Sequence, residues 1–254
     1  MKRNVIWIAS YPKSGNTWLR FIVSTILKGD RLASSGEIEN LTPDIHKTET
    51  ARLPVSGPSL FLKTHLVAGR DIPFYKRTKR AIYVVRHPGD TLISNLKYLN
   101  IPAYFYPPLI DQFLVKGGLD HWRPYGFGSW VENVESWCRQ RHPFPKLVIS
   151  YEDLIADAPT EITRIADFIG RPLSIEDAAF VADACSFDAL QGMEIREKEE
   201  GRTARESFFT GEDNAKPGEA MFMRSGQREQ YLAYMKPYQI EQLRKRFEGY
   251  LNGG

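Results

Sequence analysis

Cysteine is almost missing from this chain. Only Cys138 and Cys185 occur, far apart and without metal-ligand spacing, so neither a disulfide framework nor a thiolate metal site is expected. Long apolar runs are missing too. No stretch approaches the ~20 residues of a membrane-spanning helix. The opening apolar run ends by Tyr11, short of a signal-peptide core with its cleavage site. The expectation is a cytoplasmic protein without a membrane partner. Excess charge of one sign is also missing, the formal net charge being +3. A nucleic-acid partner would call for a dense basic stripe, so none is expected, whereas a local basic pocket for an anion is compatible with this balance. Finally, no Gly-Lys followed by Ser or Thr occurs, which excludes the usual nucleoside-triphosphate loop. No convincing cluster of metal-ligating residues appears, so no metal is expected.

What remains is enough for a core. The 254 residues are 42% hydrophobic, compatible with one large domain over 1–254. Val5 to Ala9 reads as a buried parallel strand. From Thr17, the apolar residues Leu19, Ile22, Val23, Ile26 and Leu27 recur at helical spacing to about Lys28, with Gly29 as the stop. Residues 29–58 read as a loop-rich insertion with a short helix around Asp44 to Arg52. Further strands are expected at Leu60 to Lys63, Ala81 to Val85 and Leu147 to Ser150. Helices are expected from Pro88 to Leu99, around Trp130 to Cys138, and over Ala158 to Ile169, Ser174 to Ala184 and Pro237 to Tyr250. Residues 101–127 read as a long functional loop. Glu194 to Lys216, charged and containing glycine, reads as mobile. Strands alternating with helices imply a parallel sheet covered on both faces.

The segment joining the first strand to the first helix is SYPKSGNTW, Ser10 to Trp18. In an α/β sheet this junction holds anions, because free helix N–H groups and the helix dipole favour negative charge there. Gly15 lets backbone approach a phosphate, Ser14, Asn16 and Thr17 can donate hydrogen bonds, and Lys13 adds charge. The bland alternative is a Pro/Gly turn with a capping threonine. The fold class expected is α/β: a single domain with a central parallel sheet flanked by helices and a P-loop-like phosphate-binding strand-loop-helix.

PKSGNTW resembles the 5′-phosphosulfate loop of the cytosolic-type sulfotransferases that use 3′-phosphoadenosine 5′-phosphosulfate (PAPS), in the compact layout of bacterial members. Further segments follow in that family's order. KTHL, Lys63 to Leu66, resembles the segment of the catalytic histidine. YVVRHPGDTLIS, Tyr83 to Ser94, resembles the 3′-phosphate motif, with Arg86 followed by Ser94. ISYEDL carries Tyr151 where the family places a tyrosine near adenine, and Ser186–Phe187 resembles the pair whose phenylalanine packs on that base. MRSG, with Arg224, Ser225 and Gly226, resembles the late element that closes over the 3′-phosphate. Asn16, Cys185 and Ser225 depart from the usual threonine, hydroxyl residue and lysine.

The resemblance implies sulfuryl transfer from PAPS to a hydroxyl of a small-molecule acceptor, leaving adenosine 3′,5′-bisphosphate (PAP). It makes His65 the base, Lys13 the stabiliser of the leaving oxygen, and Lys63 a residue orienting donor or acceptor. Such a reaction needs in-line oxygens and neutralised charge, and an imidazole titrates in the right range to take a hydroxyl proton. Trp18 and Phe187 suit either adenine faces or core positions. His46, His87, His121 and His142 read as packed or surface histidines. The aromatic residues Tyr98, Tyr104, Phe105, Tyr106, Trp122, Tyr125 and Phe127 suit an acceptor pocket and a satellite core equally. The acceptor and the oligomeric state stay open.

Overall fold

The computed structural model describes residues 4–47, 59–203, 206–209, 221–223 and 226–251. In chain order the elements are β1 (Asn4–Ala9), α1 (Asn16–Lys28), α2 (Glu37–Leu41), β2 (Ser59–Thr64), β3 (Thr78–Val85), α3 (Pro88–Tyr98), α4 (Tyr106–Lys116), α5 (Trp130–Val134), β4 (Lys146–Ser150), α6 (Tyr151–Ala156), α7 (Ala158–Ile169), α8 (Ile175–Ala184), α9 (Phe187–Glu199) and α10 (Pro237–Leu251). No described helix is long and apolar enough to cross a membrane.

The four strands are all parallel, in the order β2-β1-β3-β4. Side chains alternate across a strand, and the sheet therefore feeds two cores. Trp7, Ala9, Ala81 and Tyr83 pack with residues of α3, α4, α5 and α10 on one face. Ile8, Ile82 and Val84 pack with α1, α6, α7, α8 and α9 on the other. Because β1 connects outward to β2 and the chain then returns past it to β3, connections diverge beside β1. All four strand C-termini open on one edge there, where an α/β sheet places its ligand crevice.

Several expectations need correction. Residues 101–127 are not a plain loop: they hold α4 between two short 3₁₀ segments, Ala103–Phe105 and Asp120–Tyr125. Pro107 and Pro108 occupy the first turn of α4, where the missing N–H costs nothing. The charged segment from Glu194 is helical as far as Glu199. Its charges misled because two of them point inward: Glu194 and Glu197 are buried. No helix starts at Asp44; α2 lies earlier, and Asp44 pairs with Lys63 beside β2. The remainder of that expected helix, from residue 48, lies outside the described residues, as do 204–205 and 210–216 of the expected mobile segment.

Candidate active site

Each strand end delivers one part of a single cavity of about 900 Å³. After β1 the chain turns through Lys13, at φ 66°, and Gly15, at φ 100°, into α1. A side chain on Gly15 would be strained by that backbone, and its Cβ would lie 2.5 Å from the Tyr151 ring. Glycine is needed here for both reasons. The first N–H groups of α1 have no acceptor within the helix and stand at the cavity, which Gly15, Asn16, Thr17 and Trp18 line. Asn95 of α3 ties the loop down by donating to the Pro12 carbonyl (3.1 Å). Asn16 spends its side-chain amide inward, on the Ile8 carbonyl and Ser10 Oγ (3.2 Å each). Its contribution to an anion is thus its backbone N–H. Ser14 is buried behind the lining.

After β3, Arg86 lies over the Tyr151 ring at 4.4 Å and donates to the Gln227 carbonyl (3.0 Å). Among the described residues its buried Nε has no hydrogen-bond partner, and neither has Ser14 Oγ. A buried unpaired donor is costly, and a polar or anionic ligand beside these residues would satisfy it. Tyr151 and Phe187 share one local device. Each is the first residue of a helix whose preceding serine caps it: Ser150 Oγ accepts from Asp153 N–H, and Ser186 Oγ from Ala189 N–H. The caps aim both rings toward the cavity, and Gly226 fits between them, its carbonyl accepting from Tyr151 OH (3.3 Å). Burial raises the Tyr151 pKa against the pull of Arg86. Trp18 meets Tyr151 edge-on at 5.6 Å and donates to the Cys185 carbonyl (2.8 Å).

After β2, Lys63 and His65 reach the same cavity. His65 is held at several points. Its Nδ1 lies 2.7 Å from the Ser10 carbonyl, its N–H donates to His46 Nε2 (3.0 Å), and its carbonyl accepts from Asn133 Nδ2 (2.8 Å). A carbonyl can only accept, so Nδ1 carries the proton and Nε2 is left as the lone-pair nitrogen. Burial, then the Lys63 charge, hold the His65 pKa well below its ordinary value, so the ring is neutral at neutral pH. Lys63 is itself buried and ion-paired with Asp44 (2.7 Å).

Lys13, Lys63, His65, Gly15, Asn16, Thr17, Trp18, Arg86, Ser94, Tyr151, Phe187 and Gly226 therefore come together, while Arg224 and Ser225 lie outside the described residues. The Lys13 ammonium stands 4.4 Å from the Tyr98 ring and 4.7 Å from Phe222. The aromatic cluster divides. Tyr98, Trp122, Tyr125 and Phe127 line the cavity, Tyr104 and Phe105 are exposed, and Tyr106 is core. Of the four histidines read as packed or surface, His46 and His121 line the cavity; His87 caps α3, and His142 bonds the Ser136 carbonyl. Sequence reasoning also missed Asp44, which had no motif around it, and Glu194, which accepts from Phe222 N–H (2.6 Å) and Met223 N–H (2.8 Å) and so holds that segment at the cavity.

The sulfotransferase domain model matches residues 3–253. Sulfotransferase 2B1 of Mus musculus is 32% identical over 194 residues, covering 73% of this chain and 56% of that protein. The 3-alpha-hydroxysteroid sulfotransferase of Cavia porcellus is 32% identical over 198 residues, covering 73% of this chain and 66% of that protein. The match thus spans less than two thirds of these relatives' length. The crystal structure of mouse sulfotransferase SULT7A1 complexed with PAP shares the fold, with a TM-score of 0.67 at 20% identity, covering 100% of this chain and 86% of that one. With a family match that runs almost end to end, this chain belongs to the sulfotransferase domain family.

Proposed function

We propose that the protein transfers the sulfuryl group of PAPS to a hydroxyl of a small-molecule acceptor and releases PAP. The observation that carries the reading is the meeting, in one cavity, of the Lys13–Trp18 loop, the Arg86–Ser94 pair and a neutral histidine with its outer nitrogen unprotonated. The helix N–H groups and Lys13 receive the 5′-end of the donor. Arg86, whose Nε has no partner among the described residues, and Ser94 receive the 3′-phosphate, and Arg suits that ligand because its fork matches phosphate oxygens. Trp18, Tyr151 and Phe187 enclose the adenine. The bound PAP of the mouse structural neighbour supports this choice of nucleotide.

In the transfer step, His65 Nε2 accepts the acceptor's hydroxyl proton as that oxygen bonds to sulfur. The bond from sulfur to the 5′-phosphate oxygen breaks, and its electron pair stays on that oxygen, where Lys13 neutralises the growing charge. Lys63 stands beside His65 to orient the sulfuryl oxygens. Trp122, Tyr125 and Phe127 give the acceptor an apolar wall, which suits a hydroxyl-bearing molecule with an apolar body. The name of the Cavia porcellus relative points to the same kind of acceptor.

Incubation with PAPS and a panel of phenols, hydroxysteroids and sugars, read by mass spectrometry for added SO₃, tests the reaction. No sulfated product and no PAP from any of them would reject it. The donor assignment is tested separately by thermal melts. PAP at a hundredfold excess over its dissociation constant adds about 2.7 kcal/mol. AMP, lacking the 3′-phosphate, should shift the melt less, and Arg86→Ala should erase the difference. Equal shifts with AMP and PAP in the unaltered protein would remove the 3′-phosphate assignment.

A further inference from the structure

The run Pro43 to Ile45 lies against edge strand β2. Lys63 N–H donates to the Pro43 carbonyl (2.9 Å) and Ile45 N–H to the Lys63 carbonyl (3.2 Å), a parallel bridge that sets Asp44 opposite Lys63. Residues two apart on an extended chain share a face. The same register therefore brings His46 to His65, whose N–H it accepts. Asp44 is fully engaged: Oδ2 accepts from Lys63 Nζ (2.7 Å) and Oδ1 from His46 N–H (2.9 Å). The side chains of the ion pair are only 5% (Asp44) and 10% (Lys63) exposed.

A lysine buried in the wall of an active site does not keep its proton without help. Burial acts most strongly on Lys63 and lowers its pKa; Asp44 opposes it, while the Arg20 and Lys47 charges act in the same direction as burial. Arg20 is itself paired with Glu39 (2.9 Å). Of the two imidazoles nearby, both are held toward the neutral form, His46 at about 4, first by burial and then by the Lys63 charge. Asp44 is thus the anion in direct contact with Lys63. Its own burial works to raise its pKa, but Lys63 and then Arg20 outweigh this and keep it ionised.

We propose that Asp44 is a positioning residue that keeps the Lys63 ammonium charged and fixed along the cavity wall beside His65. The sulfuryl-transfer role of Lys63 rests on the function proposed above; the ion pair and its effect on Lys63 do not. Without Asp44, Lys63 would turn neutral at a lower pH, and its side chain would lose the anchor that fixes its direction.

The test uses the full chain with lysine labelled in ¹⁵N, the Lys63 Nζ signal being assigned with Lys63→Arg. Asp44→Asn should lower the Lys63 titration midpoint by about 1–3 pH units, and Asp44→Glu should restore it toward the wild-type value. A midpoint unmoved in Asp44→Asn overturns the proposal. If Asp44→Asn does not fold, the Asp44 carboxyl carbon of the wild type decides. A signal still ionised at about pH 3 supports the pair, and one titrating near the ordinary value of about 3.9 overturns it. Turnover of PAPS with p-nitrophenol against pH supplies the functional arm. In Asp44→Asn the alkaline loss of activity should begin earlier by the same shift, and an alkaline limb that stays put while the Nζ midpoint moves rejects the positioning role. A wild type that produces no PAP from PAPS with any acceptor of the panel would sink the sulfotransferase reading, while the titration would still decide what Asp44 does to Lys63.

Discussion

Along the wall formed around the β1–α1 loop, most candidate groups sit in short runs at the ends of strands and the starts of helices: Lys13 to Trp18, Arg86 to Ser94, Tyr151 and Phe187. Along the aromatic wall they come from scattered places, with Asp44 and His46 from an irregular run, Tyr98 from the end of α3, and Trp122, Tyr125 and Phe127 from around a 3₁₀ segment. The first wall is built from backbone geometry: positive-φ residues, helix N–H groups and serine caps. The second is built from side chains that meet only through tertiary packing. On the function proposed above, donor binding would therefore be rigid and local, whereas the wall proposed to face the acceptor could change residue by residue without disturbing it. Asn95 joins the two, donating to the Pro12 carbonyl and accepting from Trp122 Nε1 (2.9 Å).

The largest expected effect lies where the walls meet. His65→Asn should slow transfer by roughly 10²–10⁴-fold through loss of the base, with PAP affinity left unchanged in calorimetry. Lys13→Ala should harm both PAP binding and turnover, since its charge meets the donor before and during the reaction. Near-full turnover of His65→Asn on a confirmed acceptor would break the division of labour between the walls and reject the base assignment.

Gly15→Ala probes the loop wall alone. A methyl at φ 100° pressed on Tyr151 should cost about 1–3 kcal/mol in a chemical melt and weaken PAP binding with it. PAP affinity equal to that of the wild type would mean that the backbone cradle does not hold the nucleotide.

Trp122→Ala probes the opposite wall. It should raise KM for an apolar acceptor by roughly tenfold and leave PAP affinity alone. Trp122→Phe keeps a ring but loses the donor to Asn95. Weakened PAP binding in Trp122→Phe would show that Asn95 carries strain from one wall to the other, which would sharpen the contrast into a coupling.

The smallest effect is one of pH on stability. Burial is the leading cause that lowers the pKa of His46, His65 and His87 in the fold. The unfolded chain then binds more protons below about pH 6.5 than the native one does, so stability is fully present above that value and falls as pH drops through the window below it. Melting temperatures read at stepped pH should decline on the acid side, and His65→Asn should decline less by one proton's share. Parallel acid limbs in the two proteins would show that His65 is not held neutral.

Much of the fold was legible because it is written in local terms. The apolar β-rich runs gave four strands within a few residues of their observed ends, and Ala158–Ile169 coincides with α7. The failures have two causes: proline fits the first turn of a helix as well as a loop, and a residue's partners are invisible in sequence. Pro107 and Pro108 read as part of a loop although they lie in the first turn of α4, and Glu194 and Glu197 read as part of a mobile segment although each is buried with hydrogen-bond partners from distant segments. His46 read as an idle histidine because its role depends on a β2 neighbour reached across residues 48–58.

Arg86, Tyr151 and Phe187 were singled out by the family resemblance; the sequence by itself determined the strand-turn-helix around Ser10 to Trp18 and the order of the α/β units. Those features depend on φ preferences, helix caps and the alternation of apolar residues, all short-range. Only the tertiary structure decided which aromatic residues face the cavity, which nitrogen of His65 keeps its proton and that Asp44 stands against Lys63. Each of these is fixed by an atom from a different segment: the Ser10 carbonyl for the His65 tautomer and the strand-edge register for the ion pair. A sequence does not list such contacts, because they exist only once packing has excluded water and brought a buried charge or donor against partners from another segment.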